Sequence, residues 1–253
     1  MYIRKTYDMG WVKQVHKYYP GNYGAPGVPR AKKVKRTPED IARQNEINRE
    51  NRLQRLILAN FHEGDWHLIL KYKPELRPES FMEAKRQVQR FLSQMREAYK
   101  KKGQPFKYIY VTERGKRGAC HHHLIIEDIA DQNLNTKKLV LKYWQYGSKA
   151  FIPLYEDGEF EDLASYIVKK ETKEENTGCG YSRSRNLIVP EAKKEVIRSR
   201  RWKPEPSPEK GYYIIPESLI NGTNRVTGYP YQKYSMRRIE KGGASQCQKC
   251  TFT

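Results

Sequence analysis

Three of the six histidines in the chain are consecutive, in the run His121-His122-His123-Leu124-Ile125-Ile126. On an extended strand alternate side chains share a face, so His121 and His123 project together and His122 points the other way. Two converging imidazoles suit a divalent transition ion, and a nearby carboxylate completes a ligand set that stays open to a phosphate oxygen. Glu113 ends the run KYIYVTER just upstream and is the best-placed carboxylate if the two runs pair as a hairpin through the basic turn GKRG. An ion held there acts as a Lewis acid on a scissile phosphate and orients it. A second constellation lies in FEDLASYIVKKETK. At about 100° per residue Phe160, Leu163, Ala164, Ile167 and Val168 form one apolar stripe, and Tyr166 falls off it with Lys169 and Lys170 on its own edge. A phenol with a reference pKa near ~10 is a poor nucleophile at neutral pH; adjacent cations or a metal favour its phenolate, and a lysine also stabilises charge building on phosphate.

The elements that must position these groups follow from the hydrophobic pattern. WHLILKY (66–72) reads as a strand that stops at Pro74, and from Pro78 to Lys100 the residues Phe81, Val88, Phe91, Leu92 and Met95 recur at helical spacing. Lys107–Arg114 and His121–Glu127 read as a strand pair, Thr136–Tyr146 as a helix, and Lys149–Tyr155 as a fourth strand. The Tyr166 helix begins near Phe160 and fades before Asn176. The order βαββαβ plus one further helix predicts an α+β fold, a ferredoxin-like antiparallel sheet covered by helices on one face.

Outside that segment, basic character dominates. The first 36 residues carry Arg4, Lys5, Lys13, Lys17, Arg30, Lys32, Lys33, Lys35 and Arg36 against Asp8, with Gly and Pro clustered in YYPGNYGAPGVPR, and read as an arm. Thr37-Pro38-Glu39-Asp40 has the N-cap, first-turn proline and early carboxylates of a helix start, and the helix should reach about Ala59. After Gly178 the chain turns basic again, with a helix expected from about Glu191 to Arg200 and short, turn-rich pieces beyond. The expected division is 1–60 for arm and helix, 61–177 for the catalytic segment and 178–253 for a basic extension.

Forty-nine Lys and Arg against 29 Asp and Glu leave a net charge of +20, which attracts polyanions and makes nucleic acid the default partner. Nineteen Tyr beside 7 Phe tilt the apolar material toward rings with a polar tip. No run is apolar enough to span a membrane and no secretory h-region opens the chain, so a cytoplasmic setting in a bacterial host is expected. Four cysteines do not make a disulfide framework, and Cys247-x-x-Cys250 supplies only half the ligands of a structural zinc site. The absence of a G-x-x-x-x-G-K-[ST] loop means that any helicase would come from the host.

WHLILKY, TERGKRGACHHHLII and DLASYIVKKE together resemble the HUH endonucleases, and within them the rolling-circle replication initiators with one catalytic tyrosine. The resemblance spans about Trp66 to Glu171, under half the chain. It implies that His121 and His123 bind Mg or Mn with Glu113 as a candidate third ligand. It also implies that Tyr166 attacks a phosphodiester of single-stranded DNA at an origin hairpin or nick site, leaving a 5′-phosphotyrosyl link and a free 3′-OH, with Lys169 or Lys170 assisting. The family usually has a bulky apolar residue between its two histidines where this chain has His122, so a frame using His122 stays open. Lys32, Lys33, Lys35, Arg36, Lys116, Arg117, Arg183 and Arg185 are the candidate phosphate contacts, and Tyr143, Trp144, Tyr146, Tyr181 and Trp202 are candidates for stacking on unpaired bases. A transposase or relaxase of the same superfamily, and a non-catalytic single-strand-binding protein, are the alternative readings.

Overall fold

The computed structural model describes residues 1–20, 27–115, 118–130, 134–154, 160–169 and 180–239. The chain forms two compact units, one of 37–189 and one that joins 1–36 to 190–253.

The unit of 37–189 begins with helix α1 (Pro38–Leu58), whose start is a capping box: Asp40 N–H donates to Thr37 Oγ1, and Thr37 N–H donates to the Asp40 carboxylate. Strand β3 (Trp66–Lys71), helix α2 (Phe81–Lys101), strands β4 (Tyr108–Arg114) and β5 (Cys120–Ile126), helix α3 (Thr136–Tyr143), strand β6 (Lys149–Pro153), helix α4 (Glu161–Lys169) and the short strand β7 (Ser182–Arg183) follow. The sheet order is β6-β3-β5-β4-β7, antiparallel throughout. Its first four strands stand in the ferredoxin-like order, fourth, first, third, second.

Antiparallel partners share a face, so the registers sort this sheet cleanly. Leu68, Leu70, Tyr110, Leu124 and Ile126 lie on one face and pack with Val88, Phe91, Leu92 and Met95 of α2 and Val140 of α3 in a single core. Glu113, His121, His123 and His67 lie on the other. In α4, Ala164, Ile167 and Val168 are buried with the preceding Phe160, and Ser165 Oγ donates to the Glu50 carboxylate of α1 at 3.0 Å.

The second unit is a six-stranded antiparallel sheet in the order β10-β11-β2-β1-β8, with β9 also paired to β11. Strands β1 (Tyr2–Asp8) and β2 (Val12–Tyr18) form a hairpin that turns at Gly10 (φ +88°). The remaining strands are β8 (Ala192–Ile197), β9 (Tyr212–Ile214), β10 (Ile220–Thr223) and β11 (Pro230–Arg238). Three expectations are corrected here. The first 18 residues are sheet, not arm, because β1 pairs with β8 and β2 with β11, partners nearly 200 residues away that local pattern does not reveal. The segment expected as a helix from Glu191 is strand β8, held by that same pairing. The division at residue 60 also gives way: the α1 helix belongs with the sheet that follows it, and 1–36 belongs with the C-terminal strands. Among the described residues no helix is long and apolar enough to cross a membrane.

Candidate metal centre

Each site residue arrives on its own element. Glu113 is the cross-strand partner of His121 in the β4–β5 ladder, and His123 is its diagonal neighbour on the same face. The hairpin is closed by Gly115 N–H donating to Ala119 O and Gly118 N–H donating to Gly115 O, with Gly118 at φ +80°. Period-two alternation then brings both imidazoles to the carboxylate. The His121 and His123 Nε2 atoms lie 3.4 and 3.3 Å from the same oxygen, Glu113 Oε2.

The ligand atoms of Glu113, His121 and His123 all fall within 4.8 Å of one another, which gathers two imidazoles and a carboxylate on one side of the sheet. This donor set fits a divalent cation that favours nitrogen and hard oxygen ligands. Glu113 and His123 are buried, while the His121 side chain keeps 19% of its surface exposed, so the cluster opens toward solvent on the His121 side.

Tyr166 comes to the cluster from α4. Its hydroxyl is 3.3 Å from His123 Nε2, and the two rings meet edge to face at 5.1 Å. The tyrosine is 36% exposed while its helix neighbours Ile167 and Val168 are buried, as its position off the apolar stripe requires.

His122 plays no part in the cluster. It is fully buried on the opposite face, with Nε2 2.8 Å from the Tyr72 hydroxyl and Nδ1 2.9 Å from Thr112 Oγ1. Burial, and then the neighbouring His121 and His123, push its pKa down to about 3, so the ring is neutral. A frame using His122 as a ligand is therefore excluded by geometry.

One residue escaped the sequence reading. His67 on β3 places Nε2 3.0 Å from His123 Nδ1, its ring lies 5.3 Å from that of His123, and burial lowers its pKa to about 4. The signal was present: in Trp66-His67-Leu68-Ile69-Leu70 the histidine alternates with Leu68 and Leu70, and a ferredoxin-like order puts the first strand beside the third. Lys71, the cross-strand partner of His121, is a further exposed cation on this face.

The other expected residues are dispersed. Lys32, Lys33, Lys35 and Arg36 are exposed in the first 36 residues, and Arg183 and Arg185 are exposed in the 37–189 unit. Register places Arg183 opposite Ile109, on the sheet face that carries Glu113 and His123. Lys116, Arg117, Lys170, Cys247 and Cys250 lie outside the described residues; α4 ends at Lys169, whose side chain is likewise outside them. Trp144 is not a base-stacking candidate, because it is wholly buried against Tyr72, Phe91 and His122 with its indole N–H donating to Lys71 O. Tyr143 and Tyr146 pack against that same core, and Trp202 stacks on Tyr19 at 4.9 Å. Tyr181 is half-buried.

No curated protein and no solved structure matches the chain. Residues 65–175 match the model of a family of replication-associated proteins of the ORF2 type. Over that segment, which holds the Glu113, His121 and His123 cluster resembling an HUH motif, the chain is recognised as Rep-like.

Proposed function

We propose that the protein is a metal-dependent, site-specific nickase and strand transferase for single-stranded DNA that starts rolling-circle replication of a plasmid, phage or mobile element. The reading rests on one observation above the rest: the Tyr166 hydroxyl stands 3.3 Å from His123 Nε2, beside a cluster able to hold a cation. A Mg or Mn ion bound by Glu113, His121 and His123 would supply Lewis-acid polarisation of a phosphate oxygen.

The chain's own residues do the remaining work. Tyr166 Oη attacks phosphorus, the bond from phosphorus to the 3′ oxygen breaks, and the 5′ phosphate stays on the tyrosine. The phenol gives its proton to solvent and the departing 3′ oxygen takes one up, so the number of phosphate ester bonds is unchanged. A later 3′-OH reverses the step without ATP. Lys169 or Lys170 offsets charge on the phosphate, and Lys71 and Arg183 hold flanking phosphates on the same sheet face. His67 acts through His123: with His123 protonated at Nδ1 and donating to His67 Nε2, the His123 Nε2 lone pair is left for the cation.

The test is incubation with labelled single-stranded origin DNA and Mn, followed by denaturing electrophoresis. A protein–DNA adduct forms with the wild type and is abolished in Tyr166→Phe. An adduct that survives in Tyr166→Phe moves the nucleophile elsewhere.

A further inference from the structure

The sheet built from 1–36 and 190–239 has two unlike faces. On one, Tyr2, Val15, Lys17, Gln232, Tyr234 and Met236 are all buried. Its carboxylates sit there too: Glu195 is the cross-strand partner of Arg4 and bonds it at 2.7 Å, and Asp8 is the partner of Lys13.

The other face is different in kind. The registers align two neighbouring rows across five strands. The first runs Gly222, Tyr231, Tyr18, Ile3, Val196, and the second runs Ile220, Lys233, His16, Lys5, Lys194. No acidic side chain stands in either row. Lys194 is exposed, Val196 is 66% exposed, and Tyr18, Tyr231, His16, Lys5 and Lys233 are half-buried.

The rings in these rows are held in place. His16 lies 5.1 Å from Tyr18 and 6.0 Å from Tyr231. The Lys5 ammonium stands 5.3 Å from the Tyr18 ring, and that of Lys233 stands 5.8 Å from the Tyr231 ring. A Cβ at Gly222 would come within 2.6 Å of Tyr231 Cζ, so the tyrosine lies across β10 where only glycine leaves room for it. A ring laid along a sheet turns its outer π-face away from the strand beneath.

We propose that this face is a second binding site for single-stranded DNA, separate from the Tyr166 centre, in which unpaired bases stack on Tyr18, Tyr231 and His16 while Lys5, Lys194 and Lys233 neutralise the backbone. Rows of π-faces alternating with rows of ammonium groups match a polymer that alternates bases and phosphates. A duplex, whose bases are already stacked, satisfies only the cationic row. The geometry of the site owes nothing to Tyr166; the assignment to DNA rests on the proposed nickase reading.

The test uses the full chain and a fluorescein-labelled oligothymidine, which has no origin sequence. Tyr18→Ala and Tyr231→Ala each weaken binding about tenfold, Tyr18→Phe and Tyr231→Phe keep it, and Lys5→Ala or Lys233→Ala each lower the log–log salt slope by about 0.7. In the wild type, photocrosslinking to bromodeoxyuridine-substituted oligonucleotide maps to the peptides holding Tyr18 and Tyr231, a readout that needs no substituted protein to fold. Wild-type affinity in folded alanine variants, or crosslinks confined to 37–189, overturns the proposal. Tyr166→Phe binds oligothymidine as the wild type does. A chain that binds through these rings yet forms no adduct with any origin strand keeps this site and ends the nickase reading.

Discussion

His67 Nε2 lies 3.0 Å from His123 Nδ1, so the imidazole that turns its other nitrogen toward Glu113 and Tyr166 is held from behind by a second imidazole. Partners of this type fix the tautomer and ring angle of a metal-binding histidine, and their loss typically costs about 10- to 100-fold in metal affinity. His67→Ala should weaken Mn binding, read by calorimetry on the chain without DNA, by about that factor. His67→Gln restores part of it by offering an acceptor in the same place. Unchanged Mn affinity in His67→Ala would reduce His67 to core packing.

Cation binding by Glu113, His121 and His123 should be visible without any DNA. A ligand that binds only the folded state at about a hundredfold excess over its Kd adds about 2.7 kcal/mol of stability. Mn should therefore raise the Tm of the wild type and of Tyr166→Phe, and should leave His121→Ala and Glu113→Ala unshifted. Chelation reverses the wild-type shift and abolishes the covalent adduct. A shift that persists in both ligand variants would place the cation elsewhere.

His122 should matter for stability and not for chemistry. Its two ring nitrogens face the Tyr72 hydroxyl and Thr112 Oγ1 in a fully buried setting, so His122→Leu leaves two polar groups without that partner and costs on the order of 3 kcal/mol. Mn affinity should stay close to the wild-type value. Because burial first, and then His121 and His123, hold the folded pKa near 3 against an ordinary 6.5, the folded state binds fewer protons than the unfolded chain between those values. The contribution is present in full above the ordinary value and is lost as pH falls toward 3. Acid unfolding of His122→Leu should accordingly show a flatter pH dependence than the wild type.

The catalytic segment was readable because its determinants are local. Thr37-Pro38-Glu39-Asp40 caps α1 within four residues, the His121 and His123 pairing follows from period two, and the Tyr166 position follows from the stripe of Phe160, Ala164, Ile167 and Val168. His67 escapes such a reading because its role depends on which strand lies beside β5, a fact of topology. The second unit escapes it for a stronger form of the same reason. Tyr2–Asp8 alternates basic and aromatic side chains in a way that suits an arm or a strand equally, and only pairing with Ala192–Ile197 decides between them. Trp144 illustrates the opposite error: an aromatic amid basic residues reads as a base platform, although its indole is the centre of the α2 and α3 core.

Removing the N-terminal hairpin separates an arm from a structural strand pair. An arm can be deleted with loss of affinity alone. Here β1 lies between β2 and β8, and β2 lies between β1 and β11, so deleting residues 1–36 takes two adjacent strands from the middle of the six-stranded order. The edges of β8 and β11 are left with unpaired N–H and C=O groups, and the buried face loses Tyr2, Val15 and Lys17 from beside Gln232, Tyr234 and Met236. Limited proteolysis should then cut rapidly within 190–239 while 37–189, whose sheet draws on none of those strands, stays protected and keeps its Mn-dependent Tm shift. Protection of 190–239 in the deleted chain would show that the hairpin is dispensable to the fold after all.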